Sequence, residues 1–197
     1  VTLRAAGALF SALIFWGAPV IADPMDDALV AFEAQDFETA VALWTPLANG
    51  GNGQAQYLLA YMHLTGRGVP HDYLRAETYF RLASEQRNTS GQTLLGELFE
   101  HGRGVPQNFS EAVWLYGLSV KQGDPYAQAR LAMLYANGQG VDPDPVTPFA
   151  WYNTAAFQGD QAAAAARDAL AATLAPDALV RARELGTEYQ DRYGNPD

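Results

Sequence analysis

Residues 66–70 read Gly-Arg-Gly-Val-Pro, residues 102–106 read Gly-Arg-Gly-Val-Pro again, and residues 138–141 read Gly-Gln-Gly-Val. The spacing is 36 residues both times, with no gap. A fixed period of about 20–50 residues marks a stacked repeat, in which each unit buries its apolar face only against its neighbours. Other columns keep the register. Leu59, Leu95 and Leu131 stand seven residues before the first Gly, followed by the small residues Ala60, Gly96 and Ala132. Tyr79-Phe80, Leu115-Tyr116 and Trp151-Tyr152 come after the link, then Ala83, Ser119 and Ala155.

Each unit reads as two helices. The first is expected over 54–65, 90–101 and 126–137, where apolar positions are spaced by three and four, as one buried face requires. The second is expected over 72–87, 108–122 and 146–158, with Asp72 and Asn108 at N-cap positions and Asp144 as their counterpart. Gly66, Gly102 and Gly138 are placed to end the first helix at positive φ, which Gly reaches without a Cβ penalty. Gly68, Gly104 and Gly140 let the chain reverse, Val turns inward, and the Pro of the first two links blocks helix continuation. These glycines follow a helix and have no Lys nearby, whereas phosphate loops follow a strand and open a helix.

The ends are degenerate copies. Asp36-Phe37, Ala40 and Leu43-Trp44 align one period before Asp72-Tyr73, Ala76 and Tyr79-Phe80, with residues 26–35 as the matching first helix. Gln161–Thr173 is an Ala-rich first helix, and Pro176 opens a last one. The expected division is 1–22 signal peptide, 23–53 degenerate N-terminal repeat, then repeats 54–88, 89–124 and 125–160, and 161–197 capping helices and tail. The fold class is all-α: an α-solenoid of helix pairs.

At these residues the sequence resembles the Sel-1-like repeat family, a relative of tetratricopeptide repeats. The third copy carries the resemblance at Ala127, Leu131, Tyr135, Gly138, Gly140, Val141, Trp151, Tyr152, Ala155, Ala156 and Gly159. The first two carry it at Leu59, Gly66, Gly68, Val69, Asp72 and Ala76, and at Leu95, Gly96, Gly102, Gly104, Val105, Ala112 and Tyr116. His63 and Phe99 replace the family Tyr, and Pro148 the family Ala. The resemblance implies a right-handed α-solenoid that acts as a scaffold or adaptor in a bacterial envelope and binds a protein or peptide, with no cofactor and no shared catalytic residue. Some Cys-rich members are linked to penicillin binding, so a cell-wall or β-lactam-related enzyme on the same scaffold is the alternative; this chain has no Cys.

Composition narrows the partners. Lys+Arg is 12 against Asp+Glu 22, a net charge of −10, so nucleic acid and anionic membrane surfaces are poor partners. The absence of Cys excludes disulfides, thiolate metal sites and a cysteine nucleophile. Residues 1–22 carry one charge, Arg4, then an apolar run broken by Gly17 and Pro19 before Val20-Ile21-Ala22. This layout is that of a secretory signal, with cleavage expected after Ala22, a periplasmic or secreted mature protein, and no integral span in the mature chain; the alternative is an uncleaved membrane anchor. An initial Val fits a bacterial GUG start.

Chemistry-bearing residues are scattered. His63 shares a column with Phe99 and Tyr135 and is expected in the core; His71 lies in a loop and His101 at a helix C-terminus. Glu97 and Glu100 lie three apart and read as a solvated helix face. Ser110 and Ser119 have no His or Lys at a triad spacing, and the only Lys, Lys121, is not in S-x-x-K. Opposite the core columns the first helices carry a second stripe: Gln54, Leu58, Tyr61, Thr65; Ser90, Leu94, Glu97, His101; Tyr126, Arg130, Met133, Asn137. Leu, Tyr, Met and Arg suit an interface core. The expected partner contacts are Leu58, Tyr61, Leu94, Glu97, Tyr126, Arg130 and Met133, on the concave face, with folding expected to survive removal of Tyr61, Arg130 and Met133 together.

Overall fold

The computed structural model describes residues 23–194, and the signal-like segment 1–22 lies outside them. Among the described residues there are ten helices and no strand. They are α1 (Pro24–Glu33), α2 (Phe37–Asn49), α3 (Gly53–Thr65), α4 (Tyr73–Glu85), α5 (Thr89–His101), α6 (Phe109–Val120), α7 (Pro125–Asn137), α8 (Thr147–Phe157), α9 (Gln161–Ala171) and α10 (Pro176–Tyr193). Consecutive helices from α1 to α8 pair, and each pair packs on the element that follows through α2–α3, α4–α5, α6–α7 and α8–α9.

The first helices begin one residue earlier than expected, each behind a capping side chain. Asn52, Asn88, Asp124 and Asp160 stand 36 apart, and their Oδ1 atoms accept the amides of Ala55, Gly91, Ala127 and Ala163 at 3.0, 2.8, 3.4 and 3.0 Å. The second helices start behind Asp36, Asp72 and Asn108, as the sequence indicates. The fourth member of that ladder departs. Asp144 accepts the amides of Val146 and Thr147 at 3.0 and 3.1 Å, but the N-cap is Val146. Pro148 has no N–H to give the Asp144 carbonyl, so the helix begins at Thr147. The second helices also end sooner than expected, at Glu85, Val120 and Phe157, and α1 starts and stops two residues before 26–35.

The link glycines behave as the sequence requires and do more. Gly66, Gly102 and Gly138 cap their helices at φ 69, 66 and 61°. Gly68, Gly104 and Gly140 are also left-handed, at 68, 75 and 73°. A Cβ on them would sit 2.6, 2.4 and 2.4 Å from Phe37, Tyr73 and Phe109, the first residues of α2, α4 and α6. Each second glycine is therefore where a link lies directly on the preceding pair.

The core is built of periodic columns. Trp44, Phe80, Tyr116 and Tyr152 recur every 36 residues, all buried beside Leu59, Leu95 and Leu131. In the small column, a Cβ at Gly96 would stand 2.9 Å from the Tyr116 ring, so the glycine seats that ring against α5. A buried column of Gln56, Gln92 and Gln128 ties successive pairs: Gln56 and Gln92 donate to the Ala48 and Ser84 carbonyls at 3.1 and 3.3 Å.

The C-terminal end breaks the pattern. α10 packs on α8 and scarcely touches α9. Ala178, Ala182 and Gly186, spaced by four, are its buried residues, and Tyr189 and Tyr193 place their rings 4.3 and 5.4 Å from that of Trp151. Gln128 donates to the Tyr193 carbonyl at 3.1 Å instead of reaching its periodic acceptor, Val120.

Candidate functional site

The stripe on the first helices divides into two unlike halves. On α3 and α5, Tyr61, Ser90 and Leu94 join Tyr57, Thr93 and Asp124 around an open groove of about 260 Å³. Burial pushes the Tyr57 phenol above its ordinary value, and the nearby Tyr61 adds to the effect. Asp124, at the groove's end, caps α7 through Oδ1 and accepts the Thr93 hydroxyl at 2.5 Å through Oδ2. Leu58 lies beside the groove, half-buried against the core of the first two pairs.

The other half is knitted into an ionic cluster. Glu100 is not on a solvated face: its residue is 6 % exposed, buried between α5 and α7. Its carboxylate accepts the Tyr116 hydroxyl at 2.7 Å, Arg130 Nε at 3.1 Å, and Arg130 Nη2. Burial, then the Glu100 carboxylate, push the Tyr116 phenol far up. Burial opposes the charge on Arg130, yet the hydrogen bonds and attraction of Glu100 raise its pKa further. Arg130 Nη1 also approaches Met133 Sδ at 3.9 Å. Beside this cluster Glu97 accepts the Tyr126 hydroxyl, and burial and that bond push the phenol up to about 12.

This corrects two expectations. Arg130 is committed to the junction between repeats, and its removal would strand a buried carboxylate, so the joint removal of Tyr61, Arg130 and Met133 is expected to cost stability. Glu97 is held by Tyr126 and is not a free contact. Tyr126 and Met133 remain 45 and 40 % exposed.

Periodicity explains the split. One period before Glu100, Tyr116 and Arg130 stand Leu64, Phe80 and Leu94, which share one apolar cluster. At these positions the junction of the first two repeats is apolar where the next is ionic.

A family model for the Sel1 repeat matches residues 53–88, 89–124 and 125–160, more than half of the chain. The chain belongs to the Sel1 repeat family. Its repeat boundaries differ from those expected by one residue, at Gly53, because the helix starts directly behind Asn52. Among solved structures it is similar to a Sel1 repeat protein from Oxalobacter formigenes, with 25 % identity, a TM-score of 0.73, and 83 % of this chain and 70 % of that one covered. It is also similar in fold to a protective antigen of uropathogenic Escherichia coli strains that displays an SLR fold, at 21 % identity and a TM-score of 0.62, covering 87 % of this chain and 45 % of that one. No curated protein sequence matches.

Sel1 repeat proteins generally mediate protein–protein interactions on a scaffold that is generally non-catalytic. In this Sel1 solenoid Ser110 Oγ donates to the Gly140 carbonyl at 3.2 Å, and Ser119 Oγ is buried against Thr93 at 2.9 Å. His63 is buried, stacked 5.9 Å from Tyr79, with no hydrogen-bond partner at Nδ1. Among the described residues no group of His, Asp and Glu is placed to hold a metal, and no helix is long and apolar enough to cross a membrane.

Proposed function

We propose that this Sel1 repeat protein is a non-catalytic adaptor of the bacterial cell envelope that binds an extended peptide segment of a partner along α3 and α5. One observation carries the reading: the groove of about 260 Å³ gathers Tyr61, Ser90 and Leu94, three members of the stripe that faces away from the core columns, beside Tyr57. Tyr faces and an aliphatic wall supply contact area at little entropic cost, and Ser90, Thr93 and Asp124 supply polar contacts along one edge. The excess of acidic residues favours a basic partner through long-range steering. The apolar, signal-like run in residues 1–22 supports the envelope assignment.

Panning a phage-displayed peptide library against the full chain tests it. Ser90→Arg fills the groove and Tyr61→Ala removes a wall; both sit on exposed or half-buried positions. Selected peptides are expected to lose at least about tenfold in affinity for each variant, or about 1.4 kcal/mol, at unchanged melting temperature. Equal binding to both variants rejects the groove.

A further inference from the structure

A second cleft lies away from that groove and shares no residue with it. Helix α6 carries Gly117 in its last turn, where an added Cβ would meet nothing within 4 Å. Glycine is a poor helix former, so its place inside a helix needs a reason. The equivalent positions hold Arg81 one period earlier and Asn153 one period later. Here the missing side chain leaves open a cleft of about 280 Å³ between α6 and α10.

The walls are aromatic. Trp114 stands at the mouth, 56 % exposed, and Trp151, Tyr189 and Tyr193 form a packed aromatic cluster opposite. The Tyr135, Tyr189 and Tyr193 hydroxyls make no hydrogen bond among the described residues. All three line the cleft, and burial first, then Tyr135, Tyr193 and the Glu188 and Asp144 carboxylates, hold the Tyr189 phenol above its ordinary value. Lys121, the chain's only lysine, lines the same cleft and makes no ion pair among the described residues.

We propose that this cleft binds a small ring molecule, aromatic and one or two rings in size, that carries one anionic group. The ring lies against the aromatic walls, and the anion meets Lys121, the one cation among the cleft's lining residues. The chain's net charge of −10 repels a bare anion, so the ring must supply attraction as well as shape. The proposal stands apart from the peptide reading, since the two sites lie on different helices.

Titration calorimetry of the full chain with naphthalene-2-carboxylate and with its neutral counterpart, naphthalene-2-methanol, decides it. The acid is expected to bind about fivefold more tightly than the alcohol, the worth of one exposed charge pair. Lys121→Gln should abolish the difference and leave the alcohol's affinity in place. Gly117→Leu, and Gly117→Arg as in the first repeat, should remove binding of both without lowering the melting temperature, because both residues form helix better than glycine. Equal affinity for acid and alcohol, binding of neither, or binding that survives both Gly117 variants overturns the proposal.

Discussion

Replacing Arg130 by Leu should be among the most damaging single changes in this chain, and two further changes should undo it. Glu100 and Arg130 side chains are 7 and 18 % exposed, so neither is well solvated when its partner leaves. The guanidinium provides two of the three donors to the carboxylate, and Tyr116 the third. Removing one member of a buried pair costs about 3–5 kcal/mol, mostly from the charge left behind. For a chain of this size that is a fall of about 6–20 °C in melting temperature. Adding Glu100→Leu removes the stranded charge but leaves the Tyr116 hydroxyl without an acceptor, a remaining cost of about 1–3 kcal/mol. Adding Tyr116→Phe completes the set Leu, Leu, Phe found at Leu64, Leu94 and Phe80. The triple variant should equal the natural chain or exceed it by about 1–4 kcal/mol, since apolar replacement of a buried ion pair is often stabilising. Urea unfolding followed by circular dichroism at each step gives the comparison. A loss below about 1 kcal/mol for Arg130→Leu, or a triple variant no better than the single, would refute the reasoning.

Three further outcomes follow from single positions. Gly104→Ala should destabilise more than Gly102→Ala in thermal unfolding: both carry the left-handed penalty of about 1–2 kcal/mol, but only at Gly104 does the new Cβ land 2.4 Å from Tyr73, against 3.3 Å from Gln107 at Gly102. Arg87 is left-handed at φ 61° in the column otherwise filled by Gly51, Gly123 and Gly159, so Arg87→Gly should raise stability by about 1 kcal/mol. Burial depresses the His63 pKa below its usual 6.5, so the unfolded chain binds the proton more readily. The stability His63 contributes is thus complete above that value and lost as pH falls through the lowered one. His63→Phe, copying Phe99, should flatten the decline in melting temperature across that acidic window.

What the sequence made legible was whatever repeats. The glycine links, the leucine and aromatic columns and the caps at Asp72 and Asn108 each follow from local backbone needs that recur every 36 residues. Two further ladders are equally periodic: Asn52, Asn88, Asp124 and Asp160 as caps, and Gln56, Gln92 and Gln128 as ties between pairs. The Gln column looks like a polar surface position until its carbonyl partner eight residues back is seen. Glu100 and Arg130 fail to repeat, and a lone charge on a helix resembles solvated surface unless a partner 30 residues away is known. Of the candidate contacts, Tyr61 and Leu94 line the groove, whereas Arg130 and Glu97 are held by residues of neighbouring helices. The course of α10 onto α8 depends on tertiary packing that no short pattern encodes.

That course has a consequence for self-association. A stack of identical modules exposes at its last member the same adhesive surface that joined all earlier ones, and molecules with such ends thread into filaments. Here α10 doubles back along α8: the Tyr193 carbonyl takes the tie from Gln128, and the Tyr193 ring stands beside Trp151. A variant with α10 detached from α8 is expected to bare this surface and self-associate, which light scattering would detect.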